Sequence, residues 1–244
     1  MAKLYTNAEL DTMEAVDLKA QRAEFDAKLA QLEQQIASLN ITEPLLNLIK
    51  GLDISVEKYY SIGADGQMVE IAEGYEGLAV GITFMPEIFI GNVKNGQPNG
   101  VGKTYKLEGG FEAINSVADL QVSSYGNFVN GLLIGFGTTS VDAGAIEVIA
   151  TGEQTEEGVV GYCNVEVVNK ANGETTINQC GIMEQSTMQT GTIIMSAGEN
   201  MVFQTGVFDA TNNQLKDGKL YIKENGNWKV VAEVKDGQPV ESVA

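Results

Sequence analysis

From Thr6 to about Leu39 apolar residues recur at helical spacing, whereas after residue 55 they fall in short alternating runs broken by Asn-Gly and Asp-Gly pairs. The first pattern predicts a helix and the second an antiparallel β body. Thr6 followed three residues later by Glu9 fits a capping box, which marks the start of the helix. Pro44 breaks the pattern, and Thr42 caps a short second helix with Glu43 and Pro44 in its first turn, ending at Gly51. The chain therefore reads as residues 1–41 helix, 42–54 connector and 55–244 β body.

Heptad positions sharpen the first segment. With Leu18, Phe25, Leu32 and Leu39 at d and Arg22, Leu29 and Ile36 at a, the seam is apolar except at Arg22. Glu14 faces Lys19, and Lys28 faces Glu33, at the spacing of attractive pairs between parallel rods. A rod of this length measures roughly 50 Å at 1.5 Å per residue. The expectation is a parallel homo-oligomeric coiled coil, a trimer favoured and a dimer open, with Arg22 setting the register. An amphipathic helix folded back on its own β body is the alternative. The fold class expected is thus mainly β, with stacked antiparallel hairpins and an N-terminal helical coiled coil.

Composition supports the division. All 28 glycines follow residue 50, and the helix formers Ala, Gln, Glu, Leu and Lys precede it. The body compared with itself yields an echo, GNVKNGQPNGVGKT at 91–104 beside GNFVNGLLIGFGTT at 126–139, offset by 35 residues. A shorter one sets VKNGQP at 93–98 beside VKDGQP at 234–239. Glycines at fixed positions serve turns and close stacking of backbones, so Gly91, Gly96, Gly100, Gly102, Gly126, Gly131, Gly135 and Gly137 are the candidate repeat-turn residues.

With Phe89 and Val93 in the first copy and Phe128 in the second, these glycines resemble the MORN repeat, a β-hairpin unit that opens on an aromatic and a glycine. The family is linked to membrane lipids and to scaffolding. Neither copy carries its His or a basic face, so the resemblance implies hairpin geometry. The combination of coiled coil and hairpin-rich body also resembles the trimeric fibre and spike proteins of tailed bacteriophages, which leave the cell by lysis.

Charge narrows the partners. Fifteen Lys and Arg against 33 Asp and Glu give a net charge of −18, a field that repels nucleic acid and anionic lipid. No run is long enough for a membrane span, and MAKLYTNAELD shows no secretory signal. The chain has no His, which removes the commonest general base and most zinc sites. GVGKT at 100–104 lacks the earlier glycine of a phosphate loop, with Gln97 in its place. Asp209, Thr211, Asn213 and Asp217 suggest a calcium loop, but Gln214 and Leu220 stand where Gly and Glu are needed.

Cys163 and Cys180 flank two strand-like runs around Asn172-Gly173. A four-residue loop from Lys170 to Gly173 sets the two thiols opposite each other, where a disulfide can close. A two-residue turn separates them. LYIKENGNWKVVAEV reads as a final hairpin placing Trp228 near Tyr221 and Val230. The sequence thus implies no catalytic residue, cofactor or metal. It points to a non-enzymatic structural or attachment subunit of a phage virion whose partners are its own copies, other virion or scaffold proteins and a host receptor. A cytoplasmic MORN-like protein-binding scaffold is the alternative. A carboxylate-based glycan hydrolase would need two inward-facing acids about 5 to 10 Å apart.

Overall fold

The computed structural model describes residues 4–197 and 200–240. The ends of the proposed 1–41 and 55–244 segments therefore lie outside the described residues. Among the described residues the chain is mainly β, with three α-helices, α1 (Asn7–Met13), α2 (Lys19–Ile36) and α3 (Glu43–Ile49). It divides into two compact units, one of Met1–Ala27 with Val141–Ala244 and one of Lys28–Ser140. Neither boundary coincides with residue 41 or 54.

The rod expected from the heptads is not formed. The Thr6 capping box is present and starts α1 as anticipated, but the helix stops at Met13 and restarts at Lys19, whose N–H donates to Asp17 Oδ1 at 3.1 Å. Packing explains the break. Leu10 and Met13 sink into a cluster with Ile194, Phe203 and Tyr221, the Tyr221 hydroxyl donates to the Met13 carbonyl at 3.2 Å, and Ala15 N–H donates to Thr205 Oγ1 at 3.2 Å. The interruption also brings Arg22 Nη1 within 2.7 Å of Glu14 Oε1. In an unbroken helix residues eight apart rise by about 12 Å.

The seam residues are consumed within the chain. Leu18, Arg22 and Phe25 are buried in the first unit, with the Phe25 ring 5.4 Å from that of Tyr162. Leu32, Ile36 and Leu39 are buried in the second unit against Val80, Ile82 and Ile88, and Leu29 is half-buried. A 3.6-residue stripe looks the same whether it meets a partner helix or a sheet. Here it meets sheets.

In the unit Lys28–Ser140 the strands are β1 (Lys58–Ile62), β2 (Met68–Glu70), β3 (Glu76–Ile82), β4 (Glu87–Lys94), β5 (Gln97–Lys106), β6 (Val122–Val129) and β7 (Leu132–Ala143). They are antiparallel, in the order β7-β6-β5-β4-β3-β1-β2. One face is covered by the later part of α2 and by α3, capped by Thr42 as expected, whose Leu45, Leu46 and Ile49 complete the core. The other face carries Tyr59, Phe89, Val93 and Phe128.

The echoed segments are hairpins, built alike. In β4–β5 Lys94 pairs with Gln97 around Asn95-Gly96, and in β6–β7 Val129 pairs with Leu132 around Asn130-Gly131. Only Gly96 and Gly131 of the eight glycines are turn residues. Gly91, Gly102, Gly126 and Gly137 lie in strands, each opposite the next, and form one row across four strands. Gly100 and Gly135, at φ 101° and 97°, occupy bulges in which residues 99–101 face Asn92 and residues 134–136 face Asn127. The row lets aromatic rings lie flat on the sheet. A Cβ on Gly102 would stand 2.5 Å from the Phe89 ring.

The other unit repeats this device in β8 (Ile146–Thr155), β9 (Gly158–Asn169), β10 (Glu174–Glu184), β11 (Thr187–Ala197), β12 (Asn200–Phe208), β13 (Leu215–Glu224), β14 (Asn227–Lys235) and β15 (Gln238–Val240), antiparallel and in sequence order. Gly181, Gly191, Gly206 and Gly218 are mutually opposed. Met188 takes the place of a ring, its Sδ 2.9 Å from where a Gly191 Cβ would lie. The VKDGQP echo is also structural, since Lys235 pairs with Gln238 and Val234 with Pro239, as Lys94 does with Gln97 and Val93 with Pro98. The β8–β9 hairpin is a third copy. Gly152 and Gly161 are spaced like Gly91 and Gly100, and residues 161–163 face residue 152.

The cysteines are not bonded. The Lys170–Gly173 loop forms and Glu174 pairs with Asn169 as expected, but a bulge between Thr175 and Ile177 moves the register by one residue. Cys163 then faces Gly181, and Cys180 faces Asn164. The side chains enter different clusters, Cys180 beside Tyr5 and Leu10, Cys163 beside Met183 and Met188. Burial pushes both thiols up to about 12. Intact mass is expected not to change with reductant, and a thiol reagent at neutral pH should label neither cysteine until denaturant is added. A reductant-dependent mass increase of two hydrogens would show the register to be wrong.

Candidate functional site

Two places concentrate polar or exposed chemistry, one in each unit. In Met1–Ala27 with Val141–Ala244, Arg22 is 4% exposed and makes two ion pairs, Nη1 to Glu14 at 2.7 Å and Nη2 to Asp11 Oδ1 at 2.5 Å. Lys19 shares Asp11 at 2.9 Å, so the Glu14 to Lys19 pair read from the heptads is replaced by Glu14 to Arg22 and Asp11 to Lys19. The Lys19 ammonium, with Arg22, holds Asp11 below its ordinary value. Burial raises Glu14, with the guanidinium opposing it. Beside it Asn178 Nδ2 donates to Asn164 Oδ1 at 2.8 Å, Asn164 Nδ2 to Glu166 Oε1 at 2.9 Å, and the Tyr5 hydroxyl to Asn164 Oδ1 at 3.3 Å, while the buried Asn178 Oδ1 and Tyr162 hydroxyl make no hydrogen bond among the described residues. The Tyr5 hydroxyl is pushed far up by burial. Burial holds the Cys180 thiol of this cluster neutral, so the cluster offers no thiolate and its ion pairs fasten the N-terminal segment.

In Lys28–Ser140, a groove of about 490 Å3 lies on the face that the helices leave uncovered. Its floor holds Thr104 and Ser124, whose hydroxyls are 2.7 Å apart, and Phe128, whose ring meets Phe89 edge-on at 5.4 Å. One end is the loop joining β3 to β4. There Phe84 is 87% and Met85 73% exposed. The loop is tied down, because the Thr83 hydroxyl donates to the Met85 carbonyl and accepts from Glu87 N–H at 3.3 Å. The other end is the Asn130–Leu133 hairpin, with Leu132 54% exposed. Phe84, Met85 and Leu132 thus make both ends of the groove apolar and exposed.

The residues refused as chemistry sit in ordinary structure. Gly100–Thr104 is β-strand with Lys103 over the Tyr105 ring at 5.7 Å, its ammonium lowered by burial. Asp209 accepts from Thr211 N–H and hydroxyl at 2.8 and 2.6 Å, closing a turn. Among the described residues, no helix is long and apolar enough to cross a membrane. Trp228 lies beside Phe203 and donates from Nε1 to Glu9 at 2.9 Å.

The sequence missed the groove. Its signal was the Phe84-Met85-Pro86 run, two large apolar residues in a turn between strands, where polar residues are usual. No family model matches the chain, and no curated protein matches it.

Proposed function

We propose that the protein is a non-enzymatic binding scaffold, in which stacked glycine-rich hairpins hold a groove open to a segment of another protein. The observation that carries this reading is the ordered Thr83–Glu87 loop presenting Phe84 and Met85 to solvent at the groove's end. The glycine rows support it from below, because a sheet whose aromatic residues pack down against its own backbone gives a rigid platform. The phage attachment subunit keeps the hairpin-rich body as its support. The trimeric rod that argued for it is replaced by intrachain packing of Leu18, Phe25, Leu32 and Ile36.

The two readings differ in self-association. Light scattering of the purified chain at micromolar concentration is expected to give the mass of one chain. A stable trimer would overturn the scaffold reading in favour of an attachment subunit.

A further inference from the structure

We propose that the groove of Lys28–Ser140 selects an extended partner segment that turns both apolar side chains and Lys or Arg towards it. This rests on the scaffold reading and names the chemistry of its partner. Among the groove's lining residues the charged ones are Glu57 and Glu87, both acidic, and the remainder are apolar or neutral. Each carboxylate accepts one hydroxyl hydrogen bond, Glu57 from Tyr59 at 2.9 Å and Glu87 from Ser123 at 2.5 Å. Among the described residues neither is paired with a cation. A partner cation thus meets two carboxylates that no cation among the described residues contacts, Lys106 facing Glu87 across the β4–β5 ladder but donating to Ser140 Oγ at 3.1 Å, within a molecule of net charge −18.

Dimensions fix the conformation. The groove follows β6 from Ser124 to its end at Val129, six residues or about 20 Å of strand, and reaches Asn130 in the turn beyond. That accommodates roughly six residues of extended peptide. Phe84 and Met85 at one end and Leu132 at the other offer apolar contacts, while the acids offer charge, so apolar and cationic side chains must both be present.

Fluorescence anisotropy with three labelled hexapeptides tests this: Leu-Lys-Lys-Phe-Leu-Lys, which carries both kinds of side chain on each face when extended, its glutamate counterpart and its serine counterpart. The lysine peptide is expected to bind at least tenfold more tightly than either of the others. Glu57→Gln with Glu87→Gln should weaken it at least tenfold, as should Phe84→Ser with Met85→Ser. Glu108→Gln with Glu112→Gln removes the same charge from exposed positions outside the groove and should change binding less than twofold. Equal weakening by the two glutamine pairs would reduce the binding to net charge and overturn the proposal. Serine-peptide binding as tight as lysine-peptide binding, and lost with Phe84→Ser and Met85→Ser, would overturn the charge selection and leave the scaffold standing. All variants alter exposed or rim side chains, and an unchanged far-ultraviolet spectrum confirms the fold.

Discussion

Gly181→Ala is expected to lower the thermal midpoint by about 10 °C, whereas Gly96→Ala should lower it by only a few degrees. Gly181 lies in the strand row of its unit at φ 154°, and a Cβ there would stand 2.5 Å from the Gly191 Cα and 3.1 Å from Met188 Sδ. The backbone conformation costs about 1–3 kcal/mol for a residue with a side chain, and overpacking adds about 1–3 kcal/mol. At roughly 2–4 °C per kcal/mol for a chain of this size, the sum gives the expected shift. Gly96 has φ 76° but open space around its missing Cβ, which leaves only the left-handed penalty of about 1–2 kcal/mol. Circular dichroism melts of both variants decide the matter. Equal losses would mean that the row is a conformational convenience and not a steric requirement.

The same row shows how far the sequence could be read. The echo between 91–104 and 126–139 identified two hairpins with their turns, because Asn-Gly at positive φ leaves a local signature. The third copy at 152–165 kept Gly152 and Gly161 but lost the turn pair, with Glu156 and Glu157 in its place, so only spacing marked it. It lies 26 residues after the second copy. The 35-residue offset between the first two copies comes from an insertion after β5 that carries two short 3-10 turns, Phe111–Ala113 and Val117–Asp119. The cysteine register failed for a different reason. A bulge at Thr176, with no glycine to announce it, shifts a strand by one residue and sends the two thiols to opposite faces. Helix content near the N-terminus was legible from its caps, yet the partner of its apolar stripe was not, since burial against a sheet and burial against another helix impose the same spacing.

Arg22 carries the reversal of that reading into a measurable sign. On a coiled-coil seam Arg22→Leu would strengthen assembly, whereas in the observed packing it should destabilise the chain by about 3–5 kcal/mol. The substitution leaves Glu14, whose side chain is 5% exposed, without the cation 2.7 Å away. Removing the acid as well, by Glu14→Gln, should recover a large part of the loss, because the penalty is the stranded carboxylate more than the missing attraction. The pH dependence follows from the direction of the Glu14 shift. Burial raises it, so the folded state holds its proton more tightly than the unfolded chain does. The associated stability is therefore present below the ordinary glutamate value of about 4.3 and is lost as pH rises through the folded value. Without Arg22, which opposes that shift, the folded value moves higher still and the loss on the alkaline side grows. The stability difference between wild type and Arg22→Leu should accordingly be largest at pH 7–8 and shrink as pH falls towards 5, as urea melts across that range would show. A difference independent of pH, or a variant more stable than wild type at pH 7, would return Arg22 to a seam between chains.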